Sequence, residues 1–202
     1  MSREQRNAII RQETQAIARE LKTQGRILGG LVTVIWAVGI VDLVLGGALN
    51  AFGIWPHHVI GLRGILFAPF LHGSWGHLIA NTIPFLVLGW FVMLQETSDF
   101  FVVSAMTMLI SGLGVWLFGS PNSVHIGASG LIFGFLGFLL LRGYFERNFP
   151  SILLSLIVCF LYGSTIWGVL PTQPGISWEG HLFGFIGGAI AARLLARQKK
   201  LS

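Results

Sequence analysis

The sequence predicts an all-α membrane protein: a bundle of six transmembrane helices with an embedded loop between the first two. Three observations carry this. Of the 202 residues, 53% are hydrophobic and 10% charged, far below the roughly 25% charged content of a soluble domain. The apolar residues fall into runs long enough to cross a hydrocarbon layer of about 30 Å, which takes roughly 20 residues. The basic residues, which give a formal charge of +5, gather at the chain ends and in one connection. That distribution is a membrane-topology pattern, and it excludes a nucleic-acid partner as the reason for the charge.

The predicted spans are Ile27 to Leu49, Leu78 to Leu94, Phe101 to Phe118, Ile126 to Leu141, Ile152 to Leu170 and Leu182 to Ala196. The fourth and sixth runs are shorter than a crossing and are expected to borrow neighbours such as Val124 or Gly180. Between the first two spans, Trp55 to Gly76 includes a short apolar stretch from Val59 to Leu71. Such a stretch cannot span, and irregular backbone at membrane depth survives only under a cover of other protein. A large loop packed on the bundle is therefore expected.

Residues 1–26 are predicted to form a cytoplasmic tail, 27–197 the membrane domain and 198–202 a second cytoplasmic tail. The first tail is too long and too rich in Gln for the basic segment of a secretory signal. Ile9, Ile10, Ile17 and Leu21 recur at roughly helical spacing, so an amphipathic helix on the membrane surface and a solvated, partly ordered tail are both open. Arg3, Arg6, Arg11, Arg19, Lys22 and Arg26, the fourth-to-fifth connection with Arg142 and Arg147, and the terminal Arg193, Arg197, Lys199 and Lys200 all fall on one side of six spans. Arg63 alone falls on the other. Both termini are thus predicted to be cytoplasmic, with all six histidines at or near the opposite face.

This orientation brings together the N-terminal ends of the second, fourth and sixth helices, where polar residues gather. They open with His77-Leu-Ile-Ala-Asn81, Gly127-Ala-Ser129-Gly130 and Gly180-His181-Leu-Phe-Gly184. A serine hydroxyl needs a base to become nucleophilic, and neutral imidazole is the usual one near pH 7. Ser129 and His181 supply that pair. Acyl transfer also needs donors for a developing oxyanion. His77 and Asn81, four apart and on one helical face, together with the backbone amide of Ser129, are the candidates. Gly130, Gly134 and Gly137 stripe the fourth helix, and Gly180, Gly184 and Gly188 the sixth. Small residues let membrane helices approach, and these two carry the serine and the histidine.

Taken together, these three motifs resemble the rhomboid intramembrane protease family over roughly Arg63 to Ala196. The resemblance implies a catalytic dyad without an aspartate, Ser129 and His181, with His77 and Asn81 helping to form the oxyanion hole. Gly127, Gly130 and Gly184 belong to the same motifs. It also implies an outer-leaflet loop before the second helix, a structural histidine at His72 and an aromatic residue, Phe133, packed on His181. Phe133 stands where a tyrosine is common, and Leu62-Arg63 where a tryptophan-arginine pair is common. The activity implied is hydrolysis of peptide bonds in or near transmembrane segments of other proteins, in a bilayer, without metal or cofactor. The localisation implied is a bacterial inner membrane.

Several residues have competing readings. Asp42, ionisable inside a predicted span, is expected to hydrogen-bond the embedded loop. Glu179, two positions from His181, points elsewhere on a helix and makes a poor triad acid. His57, His58, His72, His77 and His125 share a face, but no His-Glu-x-x-His pattern is present, and no catalytic metal is expected. Cys159 reads as a small packing residue. Two other function classes compete with a protease. One is a non-catalytic rhomboid-like factor that binds membrane clients, whose kind typically lacks the dyad. The other is a transporter or channel, for which intramembrane charge pairs at the midplane would be expected.

Overall fold

The computed structural model describes residues 2–172 and 175–198. The expectations for Lys199, Lys200 and most of the 198–202 tail lie outside the described residues. Apart from one isolated bridge, the regular structure of the described residues is helical, with α-helices α1 (Arg3–Val44), α2 (Gly64–Phe67), α3 (Trp75–Met93), α4 (Thr97–Phe118), α5 (Ser129–Glu146), α6 (Phe149–Tyr162) and α7 (Trp178–Gln198). Among the described residues, five helical segments are long and apolar enough to cross a membrane: α1, α3, α4, α5, and α6 with the 3-10 turn that continues it to Val169.

The N-terminal residues do not form a separate helix. Residues 3–44 form one continuous helix, opened by a capping box in which Ser2 and Gln5 exchange side-chain and backbone hydrogen bonds. Its far end corrects the expected first span. The helix stops at Val44 rather than Leu49, because Gly46 and Gly47 take positive φ (65° and 84°) and turn the chain. Asp42 is buried, and its carboxylate accepts the Leu49 amide at 2.6 Å. It therefore holds the turn that follows its own helix, not the 55–76 loop.

A second correction concerns Arg142, placed in a connection by the sequence reading. It lies inside α5 and is 1% exposed, with Asp99 at 2.8 Å, Glu146 at 2.9 Å and Gln95 at 2.7 Å. A buried charge with partners can extend a helix that hydropathy alone would end. The fourth span thus lengthens at this end and does not borrow Val124, because α5 begins at Ser129, two residues after Gly127 with its φ of 113°. The sixth helix does extend backwards through Gly180, to Trp178.

α5 sits centrally against α7, α4, α6 and α3. Gly184 and Gly188 of α7 press on the backbone of Gly130 and Gly134 so closely that a Cβ at either would overlap it. Segment 53–71 folds as short turns against the Ser129 end of the bundle. Ile54 pairs with His125 in an antiparallel bridge, and Ile65 packs on Gly112 of α4. Phe85, Phe100 and Phe135 join α3, α4 and α5 in the core, with ring centroids 5.4 to 6.4 Å apart.

Candidate active site

α3 begins with Ser74 as N-cap, its hydroxyl accepting the His77 amide at 3.2 Å. This cap fixes the first turn and sends His77 and, one turn on, Asn81 toward the loop before α5. That loop presents bare backbone to them. Gly127 donates its amide to Ala68 O at 2.9 Å, and a Cβ added to it would sit 2.6 Å from His77 Nε2 and 3.6 Å from Asn81 Nδ2. Glycine is required there twice over, for the positive φ and for the approach of the imidazole. Asn81 Nδ2 is buried and has no hydrogen-bond partner among the described residues, so an amide donor at the cleft is unspent.

On α7, His181 is 7% exposed and its ring is fixed from two sides. Phe133 of α5 stacks on it, with centroids 4.1 Å apart and planes within 7°. Nδ1 lies 2.8 Å from the carbonyl oxygen of Gly168. A carbonyl only accepts, so Nδ1 carries a proton, and in the neutral ring Nε2 keeps a lone pair. The ring is thus oriented by a main-chain carbonyl and not by a carboxylate. Ser129, at the first position of α5, lines with His181, His77 and Asn81 a single open cleft of about 820 Å³. No hydrogen bond joins Ser129 to His181 among the described residues.

The other residues singled out from the sequence sit around this core. His72 is buried edge-on to His77, centroids 4.9 Å apart. Burial, with help from the His77 imidazole, lowers its pKa to about 4. Gly130 and Gly184 form the α5–α7 contact just below the cleft. Glu179 is buried at the cleft wall. No three His, Cys, Asp or Glu side chains among the described residues are grouped to hold a metal.

Sequence reasoning missed Gly168, Ser111 and Ser177. Gly168 acts through its carbonyl, which no residue pattern announces. Ser111 donates to the carbonyl of Gly180 at 2.9 Å and helps seat the start of α7 on α4. Its signal was a hydroxyl inside an apolar run.

Residues 58–198 match the Rhomboid domain family. The chain belongs to the rhomboid family. With its five apolar helices, this rhomboid is an integral membrane protein. It is 43% identical over 177 residues to "Uncharacterized protein Rv1337" of Mycobacterium tuberculosis, covering 84% of this chain and 74% of the relative. A Mycobacterium leprae relative, "Uncharacterized protein ML1171", is 41% identical over the same length, covering 84% and 70%. The Bacillus subtilis protein named "Putative rhomboid protease YdcA" is 27% identical over 132 residues, covering 64% and 65%.

Proposed function

We propose that this rhomboid is an intramembrane serine endopeptidase, hydrolysing peptide bonds in or near transmembrane segments of other membrane proteins. One observation carries the proposal. A hydroxyl, an imidazole with its Nε2 lone pair free and an unspent amide donor line one cleft.

In this reading Ser129 Oγ attacks the scissile carbonyl while His181 Nε2 takes its proton, and the imidazolium then protonates the leaving amine. Gly168 O stabilises the imidazolium through Nδ1–H. Asn81 Nδ2, His77 and the Ser129 amide receive the oxyanion. Water, activated by the same Nε2, releases the acyl group and regenerates Ser129. The bond cut must first leave its own helical ladder, which favours substrates whose transmembrane helices unwind easily.

The same proposal includes the topology. α7 is the sixth crossing: its glycines, Glu179 and two arginines lower its hydropathy, but protein covers much of it. Segment 55–76 is embedded in the outer leaflet, residues 27–197 form the membrane domain, and both termini are cytoplasmic in a bacterial inner membrane.

The missing Ser129–His181 hydrogen bond favours a second reading, a client-binding rhomboid without catalysis. Mass-spectrometric mapping of a fluorophosphonate adduct separates the two. Modification of Ser129 that disappears in His181→Ala is expected for the protease, whereas an unlabelled Ser129 in folded protein selects the binding factor.

A further inference from the structure

His125 belongs to no part of the dyad, yet it holds three segments together. Its backbone exchanges two hydrogen bonds with Ile54, each at 2.9 Å. Its ring spans two hydroxyls, with Nε2 2.7 Å from Ser123 Oγ and Nδ1 2.6 Å from Ser177 Oγ. Ser123 is two residues upstream in the same loop; Ser177 directly precedes α7.

Proton accounting fixes the direction of this chain. Ser123 Oγ lies 2.6 Å from the carbonyl oxygen of Ser120, and a carbonyl can only accept. The single Ser123 hydroxyl proton is therefore used there, and the contact with His125 requires Nε2–H as donor. Neutral imidazole then has a lone pair on Nδ1, which accepts the hydroxyl proton of Ser177. Ser177 Oγ in turn accepts the Gly180 amide at 3.3 Å. Every group is used once, in the order Gly180, Ser177, His125, Ser123, Ser120. Burial lowers the His125 pKa while Glu179 opposes it, and the neutral ring is the one this chain needs.

The position of the chain gives it a consequence. The glycine contacts between α5 and α7 set how closely the helices approach, and Ser111 seats Gly180 on α4, but neither ties the loop that enters α5 to the segment that enters α7. Among the described residues, the His125–Ser177 bond is the only hydrogen bond joining the 119–128 loop to the 170–177 segment. The first of these runs into Ser129, and the second into His181. On the protease reading proposed above, we infer that His125 is a positioning residue whose hydrogen bond to Ser177 sets the register between Ser129 and His181.

The test compares His125→Phe, which keeps the ring and loses both hydrogen bonds, with His125→Gln, whose amide offers one donor and one acceptor. In purified full-length protein, His125→Phe is expected to lower kcat for a transmembrane substrate roughly tenfold, with KM little changed, because misplaced reacting groups cost turnover before binding. His125→Gln is expected to recover most of that loss. Ser177→Ala should match His125→Phe and add nothing to it in the double variant. Wild-type kcat in folded His125→Phe, or equal loss in Phe and Gln variants of equal thermal stability, overturns the inference.

If His125→Phe does not fold, ¹⁵N NMR of histidine-labelled wild type decides. A pyrrole-type Nε2 and a pyridine-type Nδ1 are expected at His125, and the opposite tautomer overturns the chain. The Ser129→Ala control, run in the same assay, separates the two claims. Cleavage that survives it removes the protease reading, while the NMR result stands on its own.

Discussion

α5 carries a polar cluster at each end, and the two differ in kind. At its start, Ser129, His181, His77 and Asn81 surround an open cleft. About 20 Å along the same helix, Arg142 is enclosed by Asp99, Glu146 and Gln95, with Ser151 against Glu146. The Arg142 cluster is charged, closed, and built of partners within 3 Å. The Ser129 cluster holds a buried amide donor with no partner among the described residues and an imidazole nitrogen that keeps a lone pair in the neutral ring. Burying polar groups costs free energy at both ends. Pairing recovers most of that cost at the Arg142 end, although Arg142 Nη1 has no hydrogen-bond partner among the described residues, whereas the unspent groups at the other end line an open cleft. This difference, more than the presence of polar residues in a membrane protein, separates a brace from a candidate site.

The comparison predicts opposite phenotypes at the two ends. Ser129→Ala and His181→Ala are each expected to remove cleavage, by about a thousandfold or more, with an unchanged thermal midpoint. Comparable turnover in either would erase the distinction. Arg142→Met leaves two carboxylates facing each other in a buried site and should cost about 3 to 5 kcal/mol of stability. Denaturant titration in detergent measures it, and turnover per folded molecule should stay near wild type. Asn81→Ala should slow cleavage by about a hundredfold, less than loss of the dyad, because His77 and the Ser129 amide remain as donors. A rate equal to wild type would take Asn81 out of the oxyanion site.

The smallest effect concerns pH. His72, lowered from 6.5 to about 4, stays neutral in the folded protein while the unfolded chain already binds a proton. Its contribution is complete above pH 6.5 and is lost as pH falls from there toward 4. Thermal midpoints should decline over that window, less steeply in His72→Phe. An identical slope in the variant would show that another group carries the decline.

Much of the candidate site could be read from residue types, and the reasons are local. Gly127 was legible only as a member of its motif, whereas the φ of 113° and the approach of the His77 imidazole, which both call for glycine, belong to the fold. His77 and Asn81 are legible because a four-residue spacing on a helix already implies a shared face. Arg142 was misplaced by the same logic, since hydropathy assigns an arginine to the surface and says nothing of an aspartate on another helix. Asp42 was read as structural, but its partner, the Leu49 amide, depends on where two glycines end the helix.

The sequence alone determined the solvent, the helical character and the side chains available for chemistry, because hydropathy, spacing and side-chain reactivity are properties of short stretches of chain. The tertiary structure decided which nitrogen of His181 is free, how His125 reaches Ser177 and what encloses Arg142. Each depends on a carbonyl, a hydroxyl or a carboxylate brought in from a distant segment. Backbone groups are the same at every residue, so a contact to one leaves no trace in the amino-acid pattern until the fold selects it.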